Sequence, residues 1–315
     1  MIMATAPKGT YAVRMSVRLA GTDRPTGFAV VTAVYLVAAV AAAAVVGALP
    51  GSALPGSGPL AVTFWADLVA TVVVFGGSML FGNSSIYDPY WSVAPAVIAV
   101  AWVGWRGDAV AARQSLVVGL LLIWAVRLTA NWAASWRGLG HEDWRYVQIR
   151  EQTAGRLPWW LVTFTGIHLM PTLVVFAGLL AVWPAITVDG RSFGPLDVFA
   201  ALVTATAIGV EAVADWQLRR FTREPGNRGR IVDIGLWRFS RHPNYLGEIG
   251  FWWGMWLFAL AAAPSWWWTV VGPVAMVLLF TFVSVPLMDR RSLARRPAYA
   301  EHMQRIPALL PTRWK

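Results

Sequence analysis

Two carboxylates four residues apart, Glu211 and Asp215, stand in an otherwise apolar stretch, and a third, Glu248, follows the polar run Arg241-His242-Pro243-Asn244-Tyr245. At this spacing Glu211 and Asp215 share one face of a helix. Two like charges on one face in apolar surroundings require cations or ligand donors to meet them. The sequence supplies cations nearby. Arg127 lies within another apolar run, and the segment 219–230 carries Arg219, Arg220, Arg223, Arg228 and Arg230. A guanidinium presents a planar fork of donors that suits phosphate oxygens, while Asn244 and Tyr245 can read amide or ribose groups and Glu248 can accept from an amide. Arg241, His242, Pro243 and Gly247 complete a motif that enters an apolar run, with Pro243 and Gly247 expected to break regular structure there. The residues therefore predict a grip on a charged, hydrogen-bonding ligand. No Gly-x-Gly-x-x-Gly follows a strand, so a nucleotide held here is not bound in the Rossmann manner. Taken alone, the arginine loop also suits a plainer role, fixing helix orientation and touching lipid phosphates.

The elements that must position these residues are membrane helices. Of 315 residues, 57% are hydrophobic and 13% charged, whereas a soluble domain carries roughly a quarter charged residues. A bilayer core of roughly 30 Å needs about 20 apolar helical residues. Candidate spans are 28–49, 60–82, 92–105, 114–135, 158–183, 195–217, 247–263 and 266–288. The third is short, so the expectation is an all-α bundle of seven to eight transmembrane helices. With a cytoplasmic N-terminus, 22 of the 26 basic residues fall in inside segments, while Arg106, Arg113 and Arg191 fall outside. That bias places both termini in the cytoplasm. The organisation predicted is a tail over 1–27, a transmembrane domain over 28–288 and a basic tail over 289–315. The basic N-terminal region resembles a signal peptide's, but the run from Phe28 to Leu49 is too long for one and reads as a retained span.

Several function classes drop out. With no cysteine, disulfides and thiolate catalysis are excluded. The four histidines, His141, His168, His242 and His302, show no metal-ligand spacing. The net charge of +10 comes without a basic helix or nucleic-acid motif, so membrane lipids rather than nucleic acid are its expected partners. Most of the twenty tryptophans suit interfacial belts, among them Trp159, Trp160, Trp183 and Trp266 to Trp268. Ionisable groups inside spans usually face the bundle interior. Asp67 and His168 join the acids already named, and Pro171 predicts a kink beside His168.

The segment Ser240-Arg241-His242-Pro243-Asn244-Tyr245-Leu246-Gly247-Glu248 resembles the signature of the steroid 5α-reductase superfamily, especially its bacterial branch. Asn83 to Val93, Arg127 to Trp132 and Glu142 to Tyr146 extend the resemblance over most of residues 60–315. It implies a helical reductase of the bacterial inner membrane that binds NADPH from the cytoplasmic side and delivers hydride to a lipid-like enone. Carried over, Asp215 matches a helix-end aspartate, Arg223 and Arg230 match phosphate-contacting arginines, and Asn244 and Glu248 match the residues at the nicotinamide end. Arg127, Glu211, Arg241, His242 and Tyr245 join that cofactor set.

Catalysis in the superfamily uses an acid and a tyrosine that polarise the substrate ketone. The acid expected by local pattern is Asp88, seven residues before Pro95, although Asp88-Pro89 also suits a turn. The tyrosine position falls near Trp124, which has no phenolic proton, so Tyr87 and Tyr90 are the candidate replacements. A second reading is an S-adenosylmethionine-dependent methyltransferase of the isoprenylcysteine or phospholipid type, which carries a similar Arg-His-Pro-x-Tyr-x-Gly element. A pyrophosphate partner for Arg223 and Arg230 favours the reductase. A transporter or lipid-binding scaffold is disfavoured, since no repeated halves are visible and buried acids are costly.

Overall fold

The computed structural model describes residues 23–49, 58–104 and 110–310. Most of the N-terminal tail with Lys8, Arg14 and Arg18, the connection 50–57, Arg106 and the last five residues lie outside them. The described residues form helices and no strand. In chain order these are α1 (Arg24–Ala48), α2 (Pro59–Leu80), α3 (Tyr90–Val103), α4 (Ala111–Ser135) and α5 (Trp144–Thr153). There follow α6 (Trp159–Thr187), α7 (Pro195–Arg223), α8 (Pro243–Ala262), α9 (Pro264–Arg295) and α10 (Tyr299–Arg305).

Among the described residues six helices, α1, α2, α4, α6, α7 and α9, are long and apolar enough to cross a membrane, so the chain reads as a multi-pass membrane protein. Two other expected spans differ from these. Helix α3 has 14 residues, which reach roughly 21 Å at 1.5 Å per residue, short of a bilayer core. Helix α8 has 20 residues, of which Glu248, Phe251, Trp252, Met255 and Phe258 are among those buried inside the protein. The outward faces of the long helices carry Leu36, Val40, Trp65, Val126, Leu202 and Phe282, all exposed. Apolar side chains facing outward over whole helices suit lipid rather than water.

Local sequence explains where the helices begin. Asp23 accepts a hydrogen bond from the backbone N–H of Thr26 at 3.0 Å, and Asp143 does the same for Arg145 at 2.8 Å; both satisfy orphan donors of a first turn. Pro59, Pro195 and Pro243 stand in the first turns of α2, α7 and α8, where a missing N–H costs nothing. The kink expected beside Pro171 appears as a π-helical turn over Thr163–Leu169, which widens the hydrogen-bond pattern just before the proline.

The chain divides into two compact units, Met1–Ile98 with Leu128–Leu173 and Ala99–Arg127 with Val174–Lys315. In the first unit, α1 packs along α2, and Val31, Ala70, Val74, Ile86, Tyr87, Tyr90 and Trp136 share one core cluster. In the second, α7 packs along α8. Gly247 permits their approach: a Cβ there would lie 2.6 Å from Glu211 Cβ and 2.8 Å from the Ala207 carbonyl oxygen. Gly254 repeats the device against Thr204, as small residues do where membrane helices touch closely. Gly247 thus sits inside a continuous helix and draws α8 onto α7, instead of breaking regular structure.

The second unit also buries an ion pair that the sequence placed in a loop. Arg113 lies inside α4 at 1% exposure. Its Nε and Nη2 donate to Asp197 at 2.6 and 2.9 Å, and Nη1 donates to the Arg191 carbonyl at 2.9 Å. Helix α4 starts three residues before the expected span, which brings this arginine inside.

Candidate functional site

In the second unit, α4, α7 and α8 bring together the acids and the arginine singled out from sequence. Arg127 Nη2 lies 2.6 Å from Glu211 Oε2, and Nη1 donates to Asp215 Oδ2 at 3.0 Å. The i, i+4 carboxylates therefore do share a face, and one guanidinium spans both. Glu248, a helical turn into α8, interacts with Glu211 across the contact that Gly247 opens. Its two oxygens accept from indoles: Oε2 from Trp124 Nε1 and Oε1 from Trp252 Nε1, each at 2.8 Å. Trp124 stacks on Phe251 with centroids 4.7 Å apart, which fixes its N–H toward Glu248. Three carboxylates thus meet one guanidinium and two indoles in apolar surroundings, an arrangement whose members are expensive to separate.

Apart from Arg127 Nη2 and Glu211 Oε2, which face each other as an ion pair at 2.6 Å, two polar atoms of this cluster are buried without a hydrogen-bond partner: Arg127 Nε, a donor, and Asn244 Oδ1, an acceptor. The Asn244 side chain otherwise bonds Asp215. Arg223 and Arg230 lie beyond the cluster and are exposed, Arg223 at the end of α7 and Arg230 with its Nη1 3.3 Å from Asn227 Oδ1. Asp215 and Arg223 are eight residues apart on one helix, roughly 12 Å along its axis. A 3₁₀ turn, Gly235–Arg238, is pinned back on α7 by Gln217, which accepts from the Leu236 N–H at 2.9 Å, and by Trp237, which donates to the Ala214 carbonyl at 3.1 Å. Gly235 has φ +54, and a Cβ there would collide with Gln217, so only glycine fits this turn.

Arg241 and His242 have other partners. Arg241 Nη2 and His242 Nε2 reach the carboxylate of Asp289 at 2.8 and 2.9 Å, and Tyr299 Oη donates to it at 2.8 Å. The backbone N–H groups of Arg241 and His242 donate to the carbonyls of Pro307 and Ala308 at 2.9 and 3.1 Å. These backbone bonds fasten the segment after α10 against the start of α8. Tyr245 stacks on His242 with centroids 5.3 Å apart.

The first unit holds a second buried polar cluster. Asp67 on α2, given lesser weight from sequence, accepts from Tyr90 Oη at 2.7 Å. Tyr87 Oη is 2.8 Å from Thr172 Oγ1, which is 3.0 Å from Thr71 Oγ1. Ser78 and His168 pair at 2.9 Å. His168 Nδ1 faces the Thr163 carbonyl at 2.9 Å, so Nδ1 carries the proton and Nε2 accepts from Ser78.

Asp88 is separate from that pair, in the turn before α3. It takes a hydrogen bond of 2.5 Å from Tyr146 and lies 3.6 Å from Arg145. Burial lifts its carboxyl from 3.8 to about 6, against the opposing pull of Arg145. The surrounding turn is interlocked with the segment before α5: Glu142 accepts from the Ser84 N–H at 2.9 Å, and Asn83 donates to the Leu139 carbonyl at 2.8 Å. The two motifs Asn83 to Val93 and Glu142 to Tyr146 are therefore partners in one structure. Asp289, Thr71 and Thr172 were not anticipated from sequence. Asp289 alone carried a signal, as an acid at the end of a long apolar run.

Among solved structures, none matches the chain. An uncharacterized protein of Schizosaccharomyces pombe is 25% identical over 281 residues, covering 81% of this chain and 80% of that protein. A family model described as a protein of unknown function, DUF1295, matches residues 74–306. That stretch takes in the buried acids of the second unit, the Ser240 to Glu248 motif and the interlocked turns around Asp88, and the chain belongs to the DUF1295 family.

Proposed function

We propose that the chain is a membrane-embedded, NADPH-dependent reductase that transfers hydride to the C=C bond of a lipid-like conjugated carbonyl, in the inner membrane with its arginine-rich segments on the cytoplasmic side. The observation that carries this reading is the unfilled donor and acceptor at the acid cluster, Arg127 Nε and Asn244 Oδ1. A carboxamide presents the complement, a carbonyl oxygen and an NH₂ group. Exposed Arg223 and Arg230 have the chemistry for phosphates, and the motif resemblance around Asn244 and Glu248 points the same way. NADPH would supply the hydride; Arg127 and Asn244 would hold its carboxamide end, and Arg223 and Arg230 its phosphates.

The reaction also needs a donor placed where carbonyl oxygen gains charge. The acid and phenol implied by the resemblance are assigned here to Asp67 and Tyr90, which hydrogen-bond each other at 2.7 Å. Asp88 is engaged with Tyr146 and Arg145. An apolar enone such as a steroid, an isoprenoid or a fatty enone fits a protein whose helices present apolar faces to lipid.

Binding to the native state raises apparent stability by about 2.7 kcal/mol at a hundredfold excess over Kd. In detergent-purified protein, NADPH is expected to raise the melting temperature and S-adenosylmethionine to leave it unchanged. Arg223→Ala and Arg230→Ala should weaken NADPH more than a nicotinamide nucleoside without phosphates. Stabilisation by S-adenosylmethionine alone would replace this reading with the methyltransferase one.

A further inference from the structure

In the first unit, Asp67 and Thr71 sit four residues apart on α2 and so share a face. Thr172 on α6 meets Thr71 at 3.0 Å and Tyr87 at 2.8 Å, and Tyr90 meets Asp67 at 2.7 Å. The Thr71 side chain also hydrogen-bonds Tyr90. Five oxygens from three helices and the turn before α3 therefore form a series, Asp67, Tyr90, Thr71, Thr172 and Tyr87, and all five residues are buried. Every member between the ends is a hydroxyl, able to donate one proton and accept another. Only Tyr90 touches the carboxyl, and the other hydroxyls extend the series away from it.

We propose that Tyr87, Thr172, Thr71 and Tyr90 form a proton relay that recharges Asp67. The inference rests on the assignment of Asp67 as the acid of the reductase reaction. Reduction of an enone consumes one hydride and one proton, so an acid buried in the membrane must regain its proton in each cycle. The relay supplies it by a concerted shift. Tyr90 Oη passes its proton to the Asp67 carboxylate and takes one from Thr71 Oγ1. Thr71 takes one from Thr172, Thr172 takes one from Tyr87, and Tyr87 is refilled from water, so no alkoxide is left and one water proton is consumed. Tyr87 is the outer end because it lies in the turn between α2 and α3. Its chain neighbour Asp88 is outside the apolar helices, with a side chain 15% exposed.

The test needs neither nucleotide nor substrate. Infrared spectroscopy of the protein in lipid nanodiscs should show a protonated carboxyl band that disappears in Asp67→Asn. After a jump from H₂O to D₂O, the shift of that band reports proton exchange at Asp67. Thr172→Val and Thr71→Val keep the side-chain shape and remove the hydroxyl, and each should slow the exchange about tenfold or more. Thr172→Ser restores the hydroxyl and should restore the rate. Exchange as fast in folded Thr172→Val or Thr71→Val as in the wild type would overturn the relay, and so would the absence of any band that depends on Asp67. Failure of NADPH to stabilise the protein would refute the reductase reading through a separate measurement and leave these exchange rates as they stand.

Discussion

The two units bury polar groups in opposite ways. The second concentrates charge: Arg127 is held between Glu211 and Asp215, with Glu248 capped by two indoles. The first disperses it, setting one carboxyl, Asp67, against a series of hydroxyls. A charge cluster stores strong, fixed interactions and reorganises only at high cost. Hydroxyls are individually weak, can reverse donor and acceptor roles, and suit the passage of a proton. On the proposed reading, the contrast sets a binding role for the second unit beside a proton-handling role for the first.

Substitutions should separate the two kinds of cluster. The largest effect is expected in the charged one, where Arg127→Ala leaves carboxylates buried without their cation and should destabilise the protein by about 3–5 kcal/mol. Arg127→Lys recovers only part of this, since an ammonium cannot reproduce the fork that spans both acids; melting in detergent would show both. A loss below about 1 kcal/mol in Arg127→Ala would show that the cluster is well hydrated and not the ionic core described here.

An intermediate effect is expected at Asp88. Burial raises its folded value from 3.8 to about 6, so the folded chain binds this proton more tightly than the unfolded chain does. The stability that the protonated form contributes is complete below 3.8, falls as pH rises to about 6, and is gone above it. Asp88→Asn should flatten that part of the profile, by at most about 2–3 kcal/mol. Melting temperatures measured between pH 4 and pH 8 should fall more steeply up to about pH 6 in the wild type than in the variant. The smallest effect is expected at Tyr90→Phe, which removes one neutral donor and should cost about 1 kcal/mol. A penalty for Tyr90→Phe as large as that for Arg127→Ala would erase the contrast between the units.

Much of the architecture is legible in the sequence because it follows from apolar run length. Residues 60–82 and 114–135 were expected as spans, and α2 covers Pro59–Leu80 and α4 Ala111–Ser135. The pairing of Glu211 with Asp215 follows from helical spacing alone. The pairing of Asp67 with Tyr90 does not, since the two stand 23 residues apart on different elements and no periodicity links them. Trp124 looked like a lost tyrosine because residue type was weighed by its acidity. In the structure its value is a rigid indole N–H aimed at Glu248. Asp289 gathers Arg241, His242 and Tyr299, a contact closed over some fifty residues of chain that only the fold brings together.

The fastening of residues 240–242 to 307–308 has a consequence for biogenesis. The carbonyls that accept from the backbone N–H groups of Arg241 and His242 emerge from the ribosome some sixty-five residues after those groups, once α9 has been made. Asp289 on α9 can engage the guanidinium and imidazole earlier, but the backbone at the head of α8 waits for residues 307 and 308. A nascent chain stalled after α9 would lack this one fastening.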